Sequence, residues 1–185
     1  ENIPRSGGYV IAHNHISLFE PPFVLAFWPY PPEAIAGADV FHRPGQSIMV
    51  KAYGAIPVHR GEYDRNVLEV MTRVLLSGRA LVIAPEGGRG HEVALRQARA
   101  GVAYLVDRTK VPVLPVGIVG TTDDFFARAM RAQRPRLEMN IGKPFSPPAI
   151  QGRGPERRAA RQRNADMVME RIAELLPEEY RGYYV

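Results

Sequence analysis

The chain contains no cysteine, which excludes disulfides, thiolate nucleophiles and sulfur-ligated metals together and fits a reducing compartment. Lysine is scarce: Lys51, Lys110 and Lys143 are the only three, so the basic charge is nearly all arginine. No apolar run approaches the ~20 residues needed to span a bilayer. The nearest, from Pro21 to Pro32, is short and broken by prolines. Ser17 stands two residues from His15 but without a Gly-x-Ser-x-Gly elbow around it, so capping or packing is its expected role. Internal repeats and low-complexity tracts are absent. So are nucleic-acid recognition motifs and interleaved stacking aromatics, which leaves the basic charge alone to argue for a nucleic-acid partner.

What is present describes a folded globular chain. Its 185 residues are 45% hydrophobic and 23% charged, enough to build one substantial core. The expectation is a single domain over 1–185, in which 142–155 is a Gly- and Pro-rich loop leading to a C-terminal helix. The net charge of +5 and the pI near 9.7 favour anionic partners: nucleic acid, an anionic membrane surface or a phosphorylated small molecule. Arginine suits phosphate because its planar fork binds it bidentately, although a GC-rich genome gives the same bias. The chain begins at Glu1 rather than methionine, and an upstream segment, such as a membrane anchor, is expected to be missing from it.

Strand-like and helix-like segments alternate, which predicts an α/β architecture with a mixed, largely parallel sheet flanked by helices. Expected strands cover 9–12, 33–38, 80–84 and 111–119, and Leu137, Met139 and Ile141 alternate as in a half-exposed strand. Expected helices start at Pro21 and cover 46–53, 64–77, 98–107 and about 155–176, with a further one marked by Phe125, Phe126, Ala129 and Met130. The 64–77 helix is the clearest in the first half. Val67, Val70, Met71, Val74 and Leu75 form one stripe, Asp64 is an N-cap candidate, and Gly78 ends it.

In such sheets ligands sit outside the carboxyl ends of the strands. Two strand ends carry reactive groups: His15-x4-Glu20 after the first, and Glu86-Gly87-Gly88-Arg89 after the 80–84 strand. A histidine titrates near neutrality, and a carboxylate on its other ring nitrogen fixes the tautomer and steadies the imidazolium. Five residues across a helix first turn bring Glu20 within reach of His15. With no nucleophilic serine or cysteine evident, the proton that His15 takes belongs to a substrate hydroxyl. Gly87 and Gly88 permit close backbone approach and an anion nest, and Arg89 adds a phosphate contact. A plain turn with a Glu86–Arg89 salt bridge is the simpler alternative. Arg60, closing Gly54-Ala55-Ile56-Pro57-Val58-His59-Arg60, is a second phosphate candidate, or else a solvated charge at a strand end.

Taken in order, these segments resemble the motifs of the glycerophospholipid acyltransferases of the lysophosphatidate type. Asn14-His15-Ile16-Ser17-Leu18-Phe19-Glu20-Pro21-Pro22 is similar to the first motif, Asn-His-x4-Asp. The segment ending in Arg60 is similar to the second, and Pro85-Glu86-Gly87-Gly88-Arg89 to the third, usually Pro-Glu-Gly-Thr-Arg. Val111-Pro112-Val113-Leu114-Pro115-Val116-Gly117-Ile118 is similar to the apolar, proline-bearing fourth. The four occur in family order between about residues 9 and 145, and the tail from Leu175 to Tyr184 resembles that of bacterial members.

The resemblance implies an O-acyltransferase that moves an acyl group from acyl-CoA or acyl-carrier protein to the free hydroxyl of lysophosphatidate, giving phosphatidate in phospholipid biosynthesis. It implies His15 as general base and Glu20 as its orienting acid, with Arg60, Glu86, Gly87, Gly88 and Arg89 binding the acceptor. It implies no metal and no cofactor beyond the acyl donor as substrate, and Pro115 as architectural. A lysolipid acceptor further implies a membrane-surface partner on the cytoplasmic side of the cell membrane. Candidates for that contact are the aromatic stretch from Pro22 to Tyr30 and the arginines at 153, 157, 158, 161 and 163. The sequence departs from the family pattern in three places. Glu20 replaces the usual aspartate, and Gly88 replaces a threonine. The lysine that many members carry soon after the second strand is missing, and Lys51, His42 and Arg43 are only possible substitutes. Gly88 keeps other acceptors open, among them glycerol 3-phosphate, a lyso-aminolipid or a glycolipid. Glu20 keeps open an inactive lipid-binding module.

Overall fold

The computed structural model describes residues 1–59, 65–90 and 92–185. Six strands form one sheet: β1 (Tyr9–His13), β2 (Glu33–Gly37), β3 (Ile56–Val58), β4 (Ala80–Ile83), β5 (Val113–Val119) and β6 (Glu138–Ile141). Their order is β3-β2-β4-β1-β5-β6, parallel throughout except for the antiparallel β5–β6 pair. The expected α/β architecture with a largely parallel sheet is therefore present. β1 is central, with Val10 level with Leu81 on one side and Val113 on the other. Both faces of a central parallel strand are covered, which is why Tyr-Val-Ile-Ala reads as an unbroken apolar run.

The helices are α1 (Glu20–Phe27), α2 (Gln46–Tyr53), α3 (Arg65–Leu76), α4 (Gly101–Thr109), α5 (Phe125–Met130), α6 (Gly154–Ala173) and the short α7 (Glu178–Arg181). On one face of the sheet Val24 and Trp28, from α1 and its end, pack on Tyr9, Ile11, Val82, Leu114, Val116 and Ile118. On the other, α3, α4 and α6 pack Leu75, Leu105, Val168 and Ile172 on Val10, Ala12, Leu81 and Val113. Period-two alternation along β1 thus feeds two separate cores.

Several boundaries differ from expectation. The helix expected from residue 98 begins at Gly101, and the segment before it is tied to the end of β4, the Arg99 amide donating to Pro85 O at 2.9 Å. The last long helix ends at Ala173 rather than near 176, and Leu176 still reaches the core from the turn that follows. Gly78, at φ +84°, closes α3 as expected, its amide donating to Leu75 O at 3.1 Å. The expected Asp64 N-cap lies outside the described residues. Among the described residues no helix is long and apolar enough to cross a membrane. The Pro22–Tyr30 stretch divides: Val24 and Trp28 are buried, while Phe27 and Tyr30 are 71% and 53% exposed.

Candidate active site

Three adjacent strands, β4, β1 and β5, deliver the polar groups to one end of the sheet. β1 ends at His13, and the chain turns through Asn14 to Phe19 before α1 starts at Glu20. Asn14 pins this turn to β5: its Nδ2 donates to Ile118 O at 2.9 Å, and its Oδ1 accepts from Ile118 N at 2.7 Å. Asn14 is fully buried, so both bonds are made without competition from water. The motif asparagine is therefore a clamp between strands.

The turn brings His15 and Glu20 together. His15 Nδ1 lies 3.1 Å from Glu20 Oε2, so the glutamate closes the distance despite its extra methylene. Glu20 is fully buried. Its carboxylate accepts from Ser17 N at 3.0 Å to each oxygen and from Thr121 Oγ1 at 2.5 Å. Burial pushes the carboxyl up, but the His15 and Thr121 hydrogen bonds and the nearby imidazole outweigh it and hold it below the ordinary carboxylate range. Glu20 also occupies the first turn of α1, where the helix dipole favours negative charge. An ionised Glu20 accepts only, so His15 Nδ1 is the donor in this pair, and in the neutral ring the acceptor nitrogen is Nε2.

Glu86 faces the same turn from β4. Its Oε1 accepts from His15 N at 2.9 Å, and its Oε2 accepts from Arg96 N and Nε, both at 3.2 Å. Burial raises the Glu86 carboxyl, and the His15 and Arg96 bonds only partly offset this. Gly90 N returns a bond to His15 O at 2.8 Å, which laces the Glu86–Gly90 loop to the His15 turn. The simple Glu86–Arg89 salt bridge does not form. Glu86 pairs with Arg96, and Arg89 pairs with Asp123 at 3.2 Å. Gly87 adopts φ +74°, and its amide closes the turn on Ala84 O at 3.0 Å. Of the two amides of the expected anion nest, that of Gly87 is therefore already engaged within the protein.

An apolar cavity of about 450 Å³ adjoins this cluster, a volume within the usual range for ligand pockets. Gly87 and Gly88 line it, as do Pro21 and His13, but His15 does not. The His13 ring centroid lies 5.9 Å from that of His15. Burial, then the electrostatic influence of the adjacent His15 ring, lowers the His13 pKa to about 4, so His13 is neutral at physiological pH. Of the expected site residues, His15, Glu20, Glu86, Gly87 and Gly88 thus converge. Arg89 lies at the same loop but turns to Asp123. Arg60 is outside the described residues. Of the lysine substitutes, Arg43 is exposed and bonded to Asp39 at 2.5 Å, and none of Lys51, His42 and Arg43 lines the cavity. Ser17 shapes the turn, its Oγ accepting from Phe19 N at 3.0 Å. Sequence reasoning missed Thr121 and Arg96. Thr121 stands 101 residues from Glu20 with no pattern to flag it, whereas Arg96 followed the third motif closely enough to be considered.

The profile of the family described as Acyltransferase matches residues 1–119. A curated 1-acyl-sn-glycerol-3-phosphate acyltransferase from Borreliella burgdorferi (strain ATCC 35210 / DSM 4680 / CIP 102532 / B31) is 28% identical over 127 residues, 68% of this chain and 51% of that protein. This chain therefore spans about half the length of that relative. The crystal structure of the 1-acyl-sn-glycerophosphate (LPA) acyltransferase PlsC from Thermotoga maritima superposes with a TM-score of 0.61 at 22% identity, over 91% of this chain and 68% of that one. At that identity the likeness is one of fold.

Proposed function

Because this chain belongs to the acyltransferase family, we propose that it acylates the free hydroxyl of a lysophosphatidate, using acyl-CoA or acyl-carrier protein as donor. The observation that carries the reading is the buried Glu20 carboxylate 3.1 Å from His15 Nδ1. His15 Nε2 takes the proton of the acceptor hydroxyl as its oxygen attacks the thioester carbonyl. The tetrahedral oxyanion collapses and expels the thiolate, which recovers that proton from the imidazolium. No acyl-enzyme is needed. Glu20 steadies the imidazolium, and Ser17 N and Thr121 keep Glu20 charged. The apolar cavity beside the dyad suits an acyl chain, and positioning there lowers the entropic part of the barrier. Arg60 and the Glu86–Arg89 loop are proposed to bind the acceptor's phosphate and glycerol. The enzyme works at the cytoplasmic face of a membrane, where its acceptor resides.

His15→Ala is expected to lower kcat by at least the ~10²–10⁴-fold of a lost general base, with circular dichroism and lysolipid binding unchanged. A wild-type protein that binds lysolipid yet turns over no faster than this variant is a binding module instead. Acceptor choice is read from a panel with one donor: product from glycerol 3-phosphate, a lyso-aminolipid or a glycolipid, and none from lysophosphatidate, replaces the acceptor proposed here. Gly88, where the related motif has threonine, is the feature that favours testing that second reading.

A further inference from the structure

The cavity wall is largely apolar, built from residues such as Ile35, Leu68, Met71 and Val102, yet two arginines also line it: Arg99 and Arg161. Local packing fixes both. The stem of Arg99 crosses Gly87 so closely that a Cβ added at Gly87 would stand 2.4 Å from Arg99 Cδ. The guanidinium of Arg161, on α6, stacks over Tyr104, its Cζ 5.1 Å from the ring centroid. Beside it, Gln162 Nε2 donates to Ala98 O at 2.9 Å and ties α6 to the segment that carries Arg99. Arg161 Nε is buried and has no hydrogen-bond partner among the described residues.

Such an orphan is uncommon, because a buried donor without an acceptor loses its hydration for nothing. Neighbouring arginines are satisfied: Arg96 pairs with Glu86 and Arg157 with Asp107. Arg99 and Arg161 have no carboxylate partner among the described residues. Among the described residues, two cations thus border a cavity whose lining side chains include no carboxylate. An anion attached to a long apolar group satisfies both halves of that chemistry, and arginine's planar fork matches phosphate.

We propose that Arg99 and Arg161 form an anion subsite on the cavity wall that holds a phosphate of the substrate whose apolar portion occupies the cavity. The inference rests on the function proposed above and adds to it two binding residues outside the four motifs. Phosphate on a long chain has two sources in that reaction. One is the phosphomonoester of lysophosphatidate, and the other is the phosphopantetheine arm of the donor.

The test compares purified wild type with Arg99→Gln, Arg161→Gln and Arg161→Lys, and with Arg73→Gln as an exposed control on α3. KM is measured separately for lysophosphatidate and for palmitoyl-CoA, and palmitoyl-N-acetylcysteamine serves as a phosphate-free donor. Both glutamine variants are expected to raise KM for one phosphate-bearing substrate about tenfold or more while kcat changes by less than about threefold. Arg161→Lys recovers part of the loss, and Arg73→Gln matches wild type. A rise confined to lysophosphatidate assigns the subsite to the acceptor. A rise with palmitoyl-CoA that disappears with the phosphate-free thioester assigns it to the donor. KM values for both substrates within about twofold of wild type in both glutamine variants overturn the proposal. If wild type itself shows no turnover, the proposed function falls, and calorimetric binding of lysophosphatidate against monoacylglycerol decides the subsite. A preference for lysophosphatidate that Arg161→Gln abolishes supports it, and equal binding of the two lipids to wild type overturns it.

Discussion

At the scale of single residues, the site depends on keeping one buried carboxylate charged. Glu20 receives four contacts from three residues, and only one of them, the Thr121 hydroxyl, comes from a distant strand end. Removing it raises the Glu20 pKa and weakens the orienting charge. Thr121→Val is therefore expected to lower kcat by roughly tenfold, the effect of one charge-assisted hydrogen bond, with little change in KM. The same carboxyl predicts a pH dependence of stability. Its folded pKa lies below the reference 4.5, so its contribution is complete above pH 4.5 and is lost as pH falls through the lower folded value. Glu86, whose pKa is raised by burial, acts with the opposite sign: its contribution is complete below 4.5 and lost as pH rises through the higher folded value. Urea midpoints measured across the acid range should fall less steeply below pH 4.5 in Glu20→Gln than in wild type. An unchanged acid limb refutes the assignment of Glu20 as an ionised buried group.

At the scale of elements, helix packing positions the strand that carries the site. Gly8 precedes β1, and a Cβ added there would lie 2.0 Å from the carbonyl oxygen of Leu75, near the end of α3. That oxygen is backbone and accepts from Gly78 N, so it cannot rotate away. Gly8→Ala must push α3 from the start of β1, and an overpacking cost of about 1–3 kcal/mol is expected in denaturant unfolding. The elements were largely legible in the sequence, because apolar stripes such as Val67, Val70, Met71, Val74 and Leu75 report their own period. Their ends were less so. Nothing local revealed that the Arg99 amide would bind Pro85 O, since that bond depends on where β4 ends in space.

At the scale of the whole molecule, β1 couples the two cores. Val10 and Ala12 belong to the α3–α4–α6 side, and Tyr9 and Ile11 to the α1 side, so neither core survives loss of the strand. Trp28 is the chain's one tryptophan, buried on the α1 side with Nε1 donating to Tyr9 Oη at 3.0 Å. Its fluorescence reports one core, while far-ultraviolet circular dichroism reports all the helices. The two transitions are expected to coincide in urea. A fluorescence change that precedes loss of helix by a clear margin shows instead that the α1 side opens alone.

The amino-acid sequence by itself determined the layer architecture, the apolar first strand and the His15-x4-Glu20 pair, because each depends on period or spacing within a few residues. Tertiary structure alone decided that Thr121 completes the Glu20 shell, that Glu86 holds the His15 amide and Arg96 rather than Arg89, and that His13 rather than His15 borders the cavity. It alone placed Arg99 and Arg161 at the lining of one cavity. The physical reason is common to all of these. Hydrogen bonds and charges act between atoms a few ångströms apart, and folding brings such atoms together from positions as far as 104 residues apart in the chain, as Asn14 and Ile118 are.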